Sequence, residues 1–216
     1  MDHSQPTPAV AFQRLLAGNA RFVQGTSNQN QQETLNRRTT LLEGQAPFAV
    51  ILGCSDSRVP PEIVFDQGLG DLFGIRVAGN IVTPTQIGSI EYAVEQLGSP
   101  LVVVLGHTHC GAISATVKAM TQQTQAMQAN HIGSIVTQIK PSVAELLKSH
   151  PTQNHETLVS SACKANIRAS VDQLTQSSEF LESMVATHKL AILGAEYDLA
   201  TGRVHFFENC RQSEIL

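Results

Sequence analysis

Three short apolar runs, each bounded by glycine or proline, constrain this chain most: PFAVILG (47–53), LVVVLG (101–106) and LAILGA (190–195). A run with no polar residue to mark a solvent-facing side suits a strand buried on both faces. DLFGIRV (71–77) reads as a fourth strand, and RVHFF (203–207), after the Asp198–Gly202 turn, as a polar-apolar edge strand. Helical patterns lie between them at about 84–98, 110–122 and 131–149, with one or two more within 153–188. Alternation of strands and helices predicts an α/β fold: a mainly parallel sheet of about four parallel strands plus an antiparallel edge strand, flanked by helices. In such sheets ligands gather beyond the carboxyl ends of the strands.

Ahead of the first run lies a helical arm. Thr7 can cap a helix with Pro8 at its first position, and Phe12, Leu15, Leu16, Phe22 and Val23 line one face. A second helix is expected over about 33–43, ending near Gly44. With 216 residues, the expectation is a single domain, 1–216, comprising the arm (1–45) and an α/β core (46–216). Charged residues make up only 15%, below the usual ~25%, so part of the surface is uncharged or covered by a partner. A net charge of −4 without a basic stripe argues against nucleic acid. The least charged stretch, Ser99–Val117, is interrupted by His107, His109 and Cys110, so no membrane span is expected. MDHSQPTPAV lacks the basic and apolar parts of a signal peptide, which gives a cytoplasmic reading. A Met placed on a trimmed, exported chain would read the same.

Two of the apolar runs end in metal-binding residue types, Cys54 after the first and His107 with Cys110 after the third. His107 and Cys110 can face one point at a strand-to-helix turn, and Cys54 joins them if the two strands are neighbours. Two thiolates and an imidazole favour zinc and leave its fourth position open, as in a catalytic site. Three plainer accounts stand beside this: cysteines packed in the core, a Cys54–Cys110 disulfide, or a structural zinc completed by Asp56. Cys163 and Cys210 have no metal-like neighbours and read as structural.

CSDSR (54–58) followed by VPP, RVAGN (76–80) and GHTHCG (106–111) resemble the signature blocks of the β-class carbonic anhydrases, and the likeness extends through GAEYDL (194–199). The resemblance covers essentially the whole chain. It implies one Zn²⁺ per chain on Cys54, His107 and Cys110, and reversible hydration of CO2 to bicarbonate and a proton by zinc-bound hydroxide. It also implies that Asp56 orients the hydroxide and Arg58 holds Asp56. Gln45 matches a donor to the substrate oxygen, and Phe73 and Ala78 match an apolar wall. Where some members have a tryptophan at a non-catalytic bicarbonate site this chain has Ile51, and it contains no Trp. A hydrolase of CS2 or COS on the same scaffold, and a structural metal protein, are the competing readings.

Thr83, Pro84 and Gln86 form a capping-box pattern, and Ile87, Ile90, Val94 and Leu97 make the apolar stripe of the helix they open. Tyr92 falls roughly opposite that stripe at about 100° per residue. The matching tyrosine in the family lines the active site of a neighbouring subunit, which implies a homodimer, with further pairing into a tetramer left open.

Overall fold

The computed structural model describes residues 5–27, 31–122, 131–149 and 154–207. Cys210 lies outside them, as do all but the first two residues of the glutamine-rich TQQTQAMQAN (121–130). Five strands form one sheet: β1 (Ala49–Gly53), β2 (Leu72–Arg76), β3 (Leu101–His107), β4 (Ala191–Tyr197) and β5 (Val204–Phe206), in the order β2-β1-β3-β4-β5. All pairings are parallel except β4 with β5. Every residue of β1, β3 and β4 is buried, as the continuous apolar runs require. β2 alternates between buried or half-buried and exposed positions because it is an edge.

The period of two along the strands divides the core between two faces. Ala49, Ile51, Leu101, Val103, Leu105, Ala191, Leu193 and Ala195 pack with Ala11 and Leu15 of helix α1 (Pro8–Gln24). Val50, Leu52, Val102, Val104 and Ile192 face the other way. They meet α4 (Pro84–Leu97) through Ile90 and Val94, α7 (His155–Gln176) through Ile167, Val171 and Leu174, and α8 (Glu179–Ala186) through Leu181. Full burial of one such side chain is worth about 1.5–3 kcal/mol, so these two layers hold the sheet flat against its helices.

Thr7 caps α1 by accepting from Val10 N–H, and Gly25 ends it in the left-handed region. α1 packs on this chain's own sheet, where buried Asn19 donates to the carbonyls of Val64 and Gly202 and accepts from Val204 N–H. α2 (Gln31–Thr40) stops three residues short of the expected end, and Leu41–Glu43 continue it as a 3-10 turn. A four-residue helix, α3 (Pro61–Val64), was not foreseen, since four residues are too few to show a helical period. The capping box at Thr83 does not form: the hydroxyl bonds the Gln86 side-chain oxygen and leaves the helix's backbone donors alone.

Beyond the carboxyl ends of β1 and β3, a third apolar cluster is built from α5 (Gly111–Thr121), α6 (Ile132–Ser149) and α7. It contains Ile113, Val117, Ile139, Val143, Leu158 and Ala162, and among them sit Cys54, Cys110 and Cys163. Among the described residues, no helix is long and apolar enough to cross a membrane.

Candidate metal centre

β1 and β3 are parallel neighbours with Gly53 opposite Leu105, so Cys54 leaves its strand beside the end of β3, where His107 stands. Cys110 follows one turn later as the residue that caps α5. The ligand atoms of Cys54, His107 and Cys110 all lie within 4.8 Å of one another, and all three residues are buried. Cys54 Sγ and Cys110 Sγ are 4.0 Å apart, twice a disulfide length, and both thiols are free. This removes the disulfide account.

The imidazole is aimed by its other nitrogen. His107 Nδ1 lies 2.9 Å from the Thr108 carbonyl, and because a carbonyl can only accept, Nδ1 carries the proton. Nε2 is left with its lone pair, buried and without a hydrogen-bond partner among the described residues. An orphaned acceptor beside two thiols is costly unless something electron-poor sits there. The hydrogen bond between the thiols, ahead of the opposing effect of burial, drives Cys54 well below the ordinary thiol range, while the same bond and burial drive Cys110 up. The pair thus releases one proton readily and keeps the other, which a dication displaces on coordination. The donor set fits a metal ion.

Asp56 and Arg58 lie on the turn after Cys54. Arg58 Nε donates to Asp56 Oδ1 at 2.9 Å and Nη2 to Oδ2 at 2.7 Å, and the Arg58 backbone N–H adds a third bond to Oδ1 at 3.0 Å. Held this way the carboxyl stays well below the usual carboxylate range. Asp56 Oδ2 is 3.8 Å from His107 Nε2, so the carboxylate borders the metal position.

Two further groups complete the turn, and neither was singled out from the residues alone. Arg76, register-paired with Gly53, donates through Nε to the Cys54 carbonyl at 3.1 Å and through Nη2 to the Asp56 carbonyl at 2.6 Å. The Gly79 backbone N–H donates to Cys54 Sγ at 3.3 Å. Arg76 had a signal in the sequence, a lone cation closing an edge strand beside the metal turn. A backbone amide leaves none.

The remaining predicted residues lie elsewhere on the chain. Phe73 on β2 is half-buried with its ring centroid 6.3 Å from that of Tyr92, which is 51% exposed on α4. Ala78 is half-buried and precedes the Gly79 donor. Gln45 is exposed and lines a surface hollow with Arg38, Leu41, Gly44 and Gly70.

Comparison with known proteins identifies the family of the chain. Residues 49–204 match the family model described as carbonic anhydrase. Carbonic anhydrase 2 of Mycobacterium tuberculosis is 39% identical over 196 residues, 91% of each chain. The carbonic anhydrase of Mycolicibacterium smegmatis is 40% identical over 197 residues, 91% of this chain and 92% of that one. The β-carbonic anhydrase CafA of Aspergillus fumigatus superposes with a TM-score of 0.73 at 26% identity, covering 94% of both chains. The chain belongs to the β-class carbonic anhydrases. A second β-carbonic anhydrase structure, CcaA, gives a TM-score of 0.72 at 26% identity over 92% of this chain and 88% of that one. As a β-class carbonic anhydrase, the chain carries its candidate metal ligands on the two adjacent strand ends predicted from the apolar runs.

Proposed function

We propose that this protein catalyses the reversible hydration of CO2 to bicarbonate and a proton, with one zinc ion per chain held by Cys54, His107 and Cys110. The observation that carries the reading is a buried Cys-His-Cys set beside a carboxylate gripped by arginine. Zinc held there supplies Lewis acidity, which makes water a nucleophile at neutral pH. Asp56, kept ionised by Arg58, accepts a hydrogen bond from the attacking water and so fixes where its lone pair points. Arg58 also keeps Asp56 from becoming a fourth ligand, since both carboxylate oxygens are engaged by the guanidinium. Arg76 holds the backbone from Cys54 to Asp56, tying the carboxylate's position to that of the first sulfur.

CO2 is linear and apolar and offers little to a hydrogen-bond donor, so its binding needs an apolar wall with one donor at the end. Phe73 and Ala78 supply the wall in this proposal and Gln45 the donor. Tyr92 lines the site of a neighbouring subunit in a homodimer, and a tetramer follows if dimers pair again. Half-exposed Tyr92 over an edge strand, with exposed Ile63 and Leu69 nearby in sequence to that strand, suits a covered face. Free thiols at the centre suit the reducing cytoplasm.

The test is a CO2 hydration assay on zinc-loaded protein near neutral to mildly alkaline pH, run beside CS2 hydrolysis. Rapid CO2 hydration with little CS2 turnover is expected. CS2 or COS turnover with background CO2 hydration would replace this reading with a heterocumulene hydrolase.

A further inference from the structure

Three polar residues of α7, two of them buried, are spaced along one side of the helix, and each donates to the same short segment of backbone. Asn166 Nδ2 donates to the Gly79 carbonyl at 2.8 Å, Ser170 Oγ to the Asn80 carbonyl at 3.2 Å and Gln173 Nε2 to the Val82 carbonyl at 3.3 Å. Spacings of four and three residues put all three on one helical face. Asn166 is 3% exposed and Ser170 4%, deep in a region otherwise apolar.

The segment they hold is an unusual one. Gly79 and Asn80 both have left-handed backbones, with φ of 74° and 42°. At Gly79 a side chain would also crowd its neighbours, because a Cβ would lie 2.8 Å from Ile139 Cδ1 and 3.3 Å from Ala112 Cβ. An asparagine in this conformation is sparsely populated on its own, so the turn needs outside support to persist. α7 is in turn locked against the metal-bearing strand. Gly106, next to His107, allows the contact: a Cβ there would stand 2.5 Å from Ile167 Cδ1. The one product of this turn that reaches the metal centre is the Gly79 N–H, 3.3 Å from Cys54 Sγ.

We infer that Asn166, supported by Ser170 and Gln173, is a positioning residue for the metal centre: it holds residue 79 by its carbonyl, the peptide group that follows the Gly79 N–H, so that the N–H on the other side of the same Cα stays on the Cys54 sulfur. Such a bond orients the sulfur and draws charge from it, leaving a bound dication more acidic than two free thiolates would. In a site with two anionic sulfurs that correction acts on the ligand nearest the catalytic turn. Asn166 acts through Gly79 and touches neither substrate nor metal. The inference rests on the metal assignment of the proposed function and not on the identity of the substrate.

The experiment measures zinc affinity of the folded protein by competition with a chromophoric chelator, and the thiolate-to-metal absorption of the Co²⁺-substituted protein. Asn166→Leu should weaken zinc by about 10–100-fold, the usual cost of losing a partner of a metal ligand, and shift the cobalt absorption. Leu174→Ala, a core truncation on the same helix, should lower stability while leaving both readings at wild-type values. Ser170→Ala should give a smaller loss of affinity in the same direction, and it decides the matter if Asn166→Leu does not fold. Wild-type affinity and an unshifted cobalt spectrum in the folded variants would overturn the inference. Tight zinc binding by the wild type without CO2 hydration would overturn the proposed function instead and leave the role of Asn166 standing.

Discussion

Arg58 and Asp56 meet fork to fork, Nε on Oδ1 and Nη2 on Oδ2, and the second of those oxygens stands 3.8 Å from the unpartnered Nε2 of His107. The carboxylate is therefore close enough to orient a small molecule at the metal position and too well paired to be drawn onto it cheaply. Losing an aligned transition-state hydrogen bond commonly costs 10²–10³ in rate. Asp56→Asn and Arg58→Ala should each lower CO2 hydration by about that factor while zinc content, read by elemental analysis, stays near wild type. Wild-type turnover in both would remove the pair from the mechanism.

The same pair gives a pH dependence of stability with a definite sign. Hydrogen bonds from Arg58, outweighing the opposing effect of burial, hold the folded Asp56 well below its unfolded value of about 3.9. A depressed acid stabilises the fold above the unfolded value, and that contribution is lost as pH falls toward the folded one. Melting curves of wild type and Asp56→Asn should therefore be separated at neutral pH and begin to converge below about pH 4, approaching further as the pH falls. A gap that widens on acidification would contradict the assignment.

Packing behind the centre makes another prediction. Gly106 is the one position in β3 where α7 comes within 2.5 Å of a would-be Cβ, through Ile167. Gly106→Ala should lower stability by about 1–3 kcal/mol, as overpacking in a close-packed core does. Chemical denaturation would read this as a lower midpoint, and an unchanged midpoint would mean that α7 is free to retreat.

What could be read from the residues and what could not divide along physical lines. β1, β3 and β4 were legible because strands buried on both faces must be apolar throughout, and their glycine and proline boundaries mark where the chain leaves the sheet. The convergence of Cys54, His107 and Cys110 was legible because metal chemistry restricts residue type, and adjacent strand ends restrict place. The Gly79 N–H and the row from Asn166 to Gln173 were not, since a backbone donor has no sequence mark and isolated polar residues in a long helix read as its wet side. Thr83 misled for a related reason: the capping pattern specifies residue types, but the Gln86 side chain competed for the hydroxyl. α3 was missed because four residues carry no periodicity.

Tyr92 carries the quaternary prediction. It is half exposed on α4, beside half-buried Phe73 on the edge strand β2. Sedimentation at micromolar protein should give a dimer or tetramer, and Tyr92→Ala should lower activity without loss of zinc. A fully active monomer would sink the shared-site proposal.

Whether Cys54, His107 and Cys110 hold one zinc ion on which CO2 hydration depends is decided by titrating metal-free protein with zinc and following CO2 hydration at each addition. The rate should rise in proportion to added zinc and break at one equivalent per chain, with no such rise in Cys110→Ser. A wild-type protein that takes up one equivalent of zinc yet hydrates CO2 at the background rate, or a Cys110→Ser protein that titrates like wild type, would contradict this dependence.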